Sequence, residues 1–143
     1  GSRAFREPGA PTQAAWSTST CPGALGFAGY GPAHLISAIW NEPGVQCKGA
    51  ATISDSGEIV QDMLGRSYLG DSCASGTYDN GKYVALKLLG KTFKYTVDLS
   101  GAGCGCNAAV YLVSMRQNDN ASQCHDHYCD ANKVCGVACA EID

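Results

Sequence analysis

Long apolar runs are missing from this 143-residue chain: the longest, Ala108-Ala109-Val110-Tyr111-Leu112-Val113, has six residues, where a membrane-spanning helix needs roughly 20. The sequence therefore offers no helical membrane span. Charge is sparse as well. With 16% charged residues and a formal net charge of −3, there is neither a basic stripe for nucleic acid nor a polybasic patch for an anionic membrane. No long helical period and no internal repeat occur, which turns the reading toward β structure. No amino-terminal charged and apolar leader precedes residue 20, so any secretory signal is expected to have been removed.

Cysteine is abundant. Nine residues, Cys21, Cys47, Cys73, Cys104, Cys106, Cys124, Cys129, Cys135 and Cys139, are more than a cytosolic protein of this size carries as a rule, and they predict a disulfide-rich chain in a secreted, extracellular or oxidising lumenal setting. Eight of them alone allow on the order of a hundred pairings, so spacing does not choose among them. The odd count leaves one thiol free or bonded outside the chain. The length is that of one domain able to bury its own core.

Residues 1–31 are rich in Gly, Pro, Ala, Ser and Thr with little periodicity and read as an irregular arm. Gly31-Pro32 then opens a segment in which Leu35, Ile36, Ile39 and Trp40 recur at helical spacing, ended by Asn41-Glu42-Pro43-Gly44, which predicts one short helix. Residues 1–46 are thus expected to be an arm with a short helix, and 47–143 a β domain. Strands are predicted over Ala50–Ser54, Glu58–Met63, Lys82–Leu89, Thr92–Leu99 and Ala108–Met115, with a last one entering at Ala138. Asp79-Asn80-Gly81 is a turn signal. The clearest half-buried strand is the alternation of Phe93, Tyr95, Val97 and Leu99 with polar residues. Short strands, frequent glycine and no long helix predict an all-β, antiparallel sandwich.

The chemistry-bearing residues lie toward the end. In an extended segment, side chains two apart share a face at roughly 6.6 Å between Cα atoms, so Cys139-Ala140-Glu141-Ile142-Asp143 presents two carboxylates side by side. Paired carboxylates are the working parts of glycoside hydrolysis. Upstream lies Cys104-Gly105-Cys106-Asn107-Ala108-Ala109-Val110-Tyr111-Leu112-Val113-Ser114-Met115, and between the two His127-Tyr128-Cys129-Asp130-Ala131. In content and order these three stretches resemble family-7 glycoside hydrolases, the cellobiohydrolases and endoglucanases that cleave β-1,4-glucan. The first resembles that family's Cys-Gly-x-Asn strand, the second its Gly-Tyr-Cys-Asp segment and the third the opening of its Glu-x-Asp-x-x-Glu catalytic strand. The resemblance covers about residues 77–143; residues 1–76 carry no recognisable motif of the family.

The resemblance implies a concanavalin-like jelly-roll sandwich, incomplete in this chain, with a cleft on its concave face. It implies Glu141 as nucleophile of a retaining mechanism and Asp143 as its supporting carboxylate, with Asn107 and Tyr111, i and i+4 on one strand face, contacting sugar near the cleavage point. A retaining enzyme needs a second carboxyl about 5–5.5 Å from the nucleophile. The family's acid/base falls three residues beyond Asp143, outside this sequence, which implies a chain inactive by itself. Only Asn132 to Ala138 separate Ala131 from Cys139, where the family carries a long insertion, which implies a shallower cleft.

Simpler roles compete. Glu141 and Asp143 also suit the solvated face of a strand, and Tyr83 and Tyr95 suit ordinary strand packing. Trp16 and Trp40 invite a sugar platform, although Trp40 closes an apolar stripe and fits core better. Cys124-His125-Asp126-His127-Tyr128-Cys129, with Cys135 and Cys139, has zinc-ligand chemistry but lacks the paired C-x2-C knuckles of zinc motifs; no metal and no cofactor is expected. Asn120-Ala121-Ser122 is a glycosylation sequon. Two functions are expected to compete. One is a β-1,4-glucan-binding or partial retaining hydrolase whose partner is a β-glucan polysaccharide or oligosaccharide. The other is a non-enzymatic, disulfide-stabilised docking subunit of a larger extracytosolic assembly of protein subunits.

Overall fold

The computed structural model describes residues 20–40, 49–120 and 122–143. Cys47 and Trp16 lie outside the described residues. The chain is all-β and antiparallel, and three disulfides cross-link the described residues. Strands β1 (Gly23–Phe27), β2 (Gly31–Ser37) and β5 (Ser67–Gly70) form one sheet in the order β1-β2-β5; β3 (Ala51–Ile53) pairs with β4 (Ile59–Gln61), and β6 (Leu112–Val113) with β7 (Glu141–Ile142).

The segment expected to be helical is mostly strand. Gly31–Ser37 is the central strand of its sheet, and the helix is confined to the 3-10 turn Ala38–Trp40. A short apolar run is ambiguous between helix and strand by period alone. Its position resolves the ambiguity: with β1 on one side and β5 on the other, Ala33, Leu35, Ile36 and Ser37 are all buried, which a two-sided central strand requires. The β2–β5 register runs from His34↔Gly70 to Ser37↔Ser67, so Pro32, which has no N–H, precedes that ladder. The sheet also joins sequence on both sides of residue 46, since β2 pairs with β5.

Ala50–Ser54 and Glu58–Met63 form the β3–β4 hairpin, in register Thr52↔Val60. Its base abuts an isolated bridge between Gly49 and Gly65. A Cβ on Gly49 would stand 2.3 Å from the Met63 carbonyl oxygen, so only glycine permits that approach.

The other predicted strands are corrected. Lys82–Leu89 begins as one, with Tyr83 bridged to Gly70 and the Val84 N–H donating to the Leu69 carbonyl at 2.8 Å, and then leaves the sheet. Among the described residues, Thr92–Leu99 enters no ladder, and of Ala108–Met115 only Leu112–Val113 is paired. From Leu89, 99% exposed, through Tyr95, Val97 and Leu99, the alternating apolar side chains stand in solvent. Alternation specifies which way side chains point; a ladder also needs backbone partners.

The core gathers around Ile36, Tyr78, Tyr83, Met115 and the Cys129–Cys139 disulfide, with Trp40, Tyr68, Val113 and Tyr128 packed against it. Each fully buried aliphatic side chain contributes ~2 kcal/mol. Tyr78 donates to the Ser37 carbonyl at 3.1 Å and stacks edge-on against His125, with ring centroids 5.2 Å apart. Trp40 belongs to this core, its ring 5.7 Å from Tyr78.

Candidate active site

β7 is a short strand with a strongly held root. The ladder pairs Val113 with Glu141 and Leu112 with Ile142. It is extended below by the Ser114 N–H donating to the Ala140 carbonyl at 3.0 Å, and by the Ala140 N–H donating to Ser114 Oγ at 3.0 Å. On the other side, the Cys139 N–H donates to the Asp130 carbonyl at 3.0 Å. Cys139 is bonded to Cys129, and Cys124 to Cys135, so the segment before β7 is cross-linked twice. These four sulfurs are the ones the zinc alternative needs, and they are bonded to each other. Among the described residues no group of three or more His, Cys, Asp or Glu is placed to hold a metal. The remaining disulfide joins Cys21 to Cys73, while Cys104 and Cys106 are free and exposed.

Residues directly opposite in an antiparallel pair share a face. Glu141 therefore shares one with Val113, while Tyr111 and Asp143 lie just outside the ladder, each next in sequence to its last residue pair. Glu141 Oε2 accepts the Ala131 N–H at 3.1 Å. An amide on one oxygen orients the carboxylate and leaves the other oxygen for a substrate atom. Asn107 is not brought to the pair by a ladder; it sits four residues upstream of Tyr111 in an exposed stretch outside any strand.

Beside Glu141 stands Tyr128. Burial first, then the Asp130 carboxylate, push its phenol up to about 12, and Glu141 adds to the effect. The Arg66 guanidinium lies over the Tyr128 ring at 4.6 Å from its centroid, a cation–π contact. Arg66 is in turn fixed by Asp126. Asp126 is 0% exposed, and its Oδ2 accepts from Arg66 Nη2 at 2.5 Å and from the Tyr68 hydroxyl at 2.6 Å. Its Oδ1 accepts the Tyr128 N–H at 3.2 Å, and its carbonyl accepts the Tyr83 hydroxyl at 2.5 Å. Burial and the Asp126 carboxylate together drive the phenols of Tyr68 and Tyr83 far above the ordinary tyrosine range. A buried carboxylate so fully bonded fixes the loop that carries Tyr128 and Asp130.

Sequence reasoning missed Arg66 and Tyr68, singled out Tyr128 only as part of a motif, and saw Asp126 only as a zinc candidate. Arg66 and Tyr68 lie two apart at the head of β5 and share a face, yet they precede residue 77, where the recognised resemblance begins. Asn120 is exposed, its N–H received by Asn118 Oδ1 at 3.0 Å in a side-chain turn.

β7 is thus an antiparallel strand on a β scaffold, with Glu141 in it and Asp143 just after it, rooted by disulfides and flanked by an aromatic–carboxylate cluster. The profile of Glycosyl hydrolase family 7 matches residues 44–141, and the chain belongs to that family, a family of β-sandwich fold. The match begins at residue 44, upstream of the residue 77 from which motifs are recognisable, and takes in β3 to β5 with Arg66 and Tyr68. Endoglucanase EG-1 of Hypocrea jecorina is 40% identical over 73 residues, 46% of this chain and 14% of that protein. Endoglucanase EG-1 of Trichoderma longibrachiatum is 41% identical over 59 residues, 36% of this chain and 13% of that protein. The chain thus spans about one seventh of the length of the curated relatives it matches. No solved structure gives a significant match. No helix among the described residues is long and apolar enough to cross a membrane.

Proposed function

We propose that this chain engages β-1,4-glucan along the face that carries Tyr111, Glu141 and Asp143, with Asn107 joining from the preceding segment. Glu141 acts as the nucleophile-type carboxylate of a retaining site and Asp143 as its support; Tyr111 offers a flat apolar surface with a phenolic tip, the mixture a sugar face needs. The observation that carries this reading is the Ala131 N–H on Glu141 Oε2, which orients a carboxylate in a strand otherwise held by two residue pairs. Hydrolysis requires a second carboxyl at about 5–5.5 Å, and the position assigned to it by resemblance lies past residue 143. The role proposed for Tyr111, Glu141 and Asp143 is glucan binding. Secretion into an oxidising space is proposed with it, supported by three disulfides.

Isothermal titration of the protein with cello-oligosaccharides tests the reading. Heat of binding is expected, weakened at least about tenfold by Tyr111→Ala. No heat from the unsubstituted protein overturns it.

A second reading, a docking subunit, is favoured by the exposed alternation of Tyr95, Val97 and Leu99, a segment in no ladder among the described residues, since unpaired extended chain invites strand addition. Sedimentation separates the two: a concentration-independent monomer counts against docking between copies.

A further inference from the structure

Cys104 and Cys106 are the described cysteines outside the three disulfides, and both are exposed. They flank Gly105, whose φ of +80° belongs to a turn closed by the Cys106 N–H donating to the Gly103 carbonyl at 3.2 Å. A side chain on Gly105 would meet nothing within 4 Å, and Cys106 Sγ lies 4.0 Å from where a Cβ on Gly103 would stand. The second thiol thus folds back over the turn toward the residue that precedes the first, in open space. Six other cysteines of this chain are oxidised, so these two exposed thiols meet the same oxidants.

We propose that Cys104 and Cys106 form a redox-active dithiol that exchanges with low-molecular-weight disulfides of the glutathione type. The thiolate of one cysteine attacks a sulfur of glutathione disulfide; a mixed disulfide forms and one glutathione thiolate leaves. The second protein thiolate then attacks the protein sulfur of that mixed disulfide, closing a ring through Gly105 and expelling the second glutathione. Two protein thiols lose two electrons and two protons, and one glutathione disulfide becomes two thiols. Closure is intramolecular and therefore outruns encounter with a further thiol; Gly105 lets the backbone turn back between the two side chains. A ring this small is strained and exposed, and such disulfides are the readily reduced ones.

Trypsin cuts after Lys94 and Arg116, and the fragment 95–116 holds Cys104 and Cys106 and no other cysteine. The intact protein is equilibrated in glutathione buffers of graded redox ratio, quenched with acid, alkylated, digested and weighed. The fragment is expected to pass reversibly between a doubly alkylated form and an unalkylated ring form, and the ring opens in buffers at least about tenfold more oxidising than those that reduce the other three disulfides. Cys106→Ser is expected to accumulate glutathione on Cys104 instead, because the resolving thiol is gone. A fragment that stays doubly alkylated throughout, or that emerges cross-linked to another fragment such as the one holding Cys47, overturns the proposal.

Discussion

Two stretches of this molecule carry alternating apolar residues, and they end differently. Leu112–Val113 is a two-residue strand with modest alternation around it, yet it is paired and half-buried against the core. Thr92–Leu99 has the better pattern and stands unpaired and exposed. The difference is the supply of backbone partners. Around β6 the chain brings β7 back alongside through the turns of residues 122–138, held by two overlapping disulfides. Around residues 92–99, turns at Leu88–Lys91 and Leu99–Ala102 close without setting the flanking segments in register. Pattern decides orientation, and covalent or tertiary constraint decides pairing.

The largest contrast is expected in amide hydrogen exchange. Amides of residues 92–99 exchange within about tenfold of unfolded rates, while those of Val84, Ser114 and Cys139, each bonded to a backbone carbonyl, are slowed by about a hundredfold or more. Equal protection in both regions would break the comparison.

Removing the buried carboxylate comes next. Asp126→Ala removes the carboxylate acceptor shared by Arg66, Tyr68 and the Tyr128 N–H, while the Tyr83 hydroxyl keeps its backbone carbonyl. The expected loss is about 3 kcal/mol in urea unfolding, at the low end for a buried pair because the Arg66 side chain is 31% exposed.

Alkaline pH sharpens the same contrast. The folded phenols of Tyr68, Tyr83 and Tyr128 hold their protons above the usual range, Tyr128 to about 12, whereas unfolded tyrosines release theirs near ~10. In that window the native state binds more protons than the unfolded one, so stability is complete below pH ~10 and falls as pH rises through about 12. The urea midpoint followed from pH 8 upward should stay flat and then drop, less steeply in Tyr83→Phe.

The smallest effect is a gain. His127 holds a φ of 58°, and its Nδ1 is buried with no hydrogen-bond partner among the described residues. A left-handed backbone costs a non-glycine residue ~1–2 kcal/mol. His127→Gly is expected to stabilise the cross-linked region by ~1 kcal/mol, read as a raised urea midpoint, after the extra entropy of glycine in the unfolded chain is subtracted.

The sequence made the antiparallel β class, the disulfide chemistry and the order of the carboxylate strand legible, because turn residues, cysteines and short motifs act locally. It did not reveal that Gly31–Ser37 is a strand, since a short run whose Leu35–Ser37 end is buried on both faces has the same apolar content in either conformation. Nor did it reveal the Arg66–Asp126 pair, whose members lie 60 residues apart and meet only once β5 and the cross-linked loop are packed together.

The Cys129–Cys139 bond has a kinetic consequence for Glu141. When the two-pair ladder of β7 frays, the carboxylate is still leashed two residues from a covalent anchor, a reach of about 7 Å. Its return to the Ala131 amide is a search through a volume scarcely larger than a sugar ring, so the acid end of this strand can open and close rapidly without losing its address.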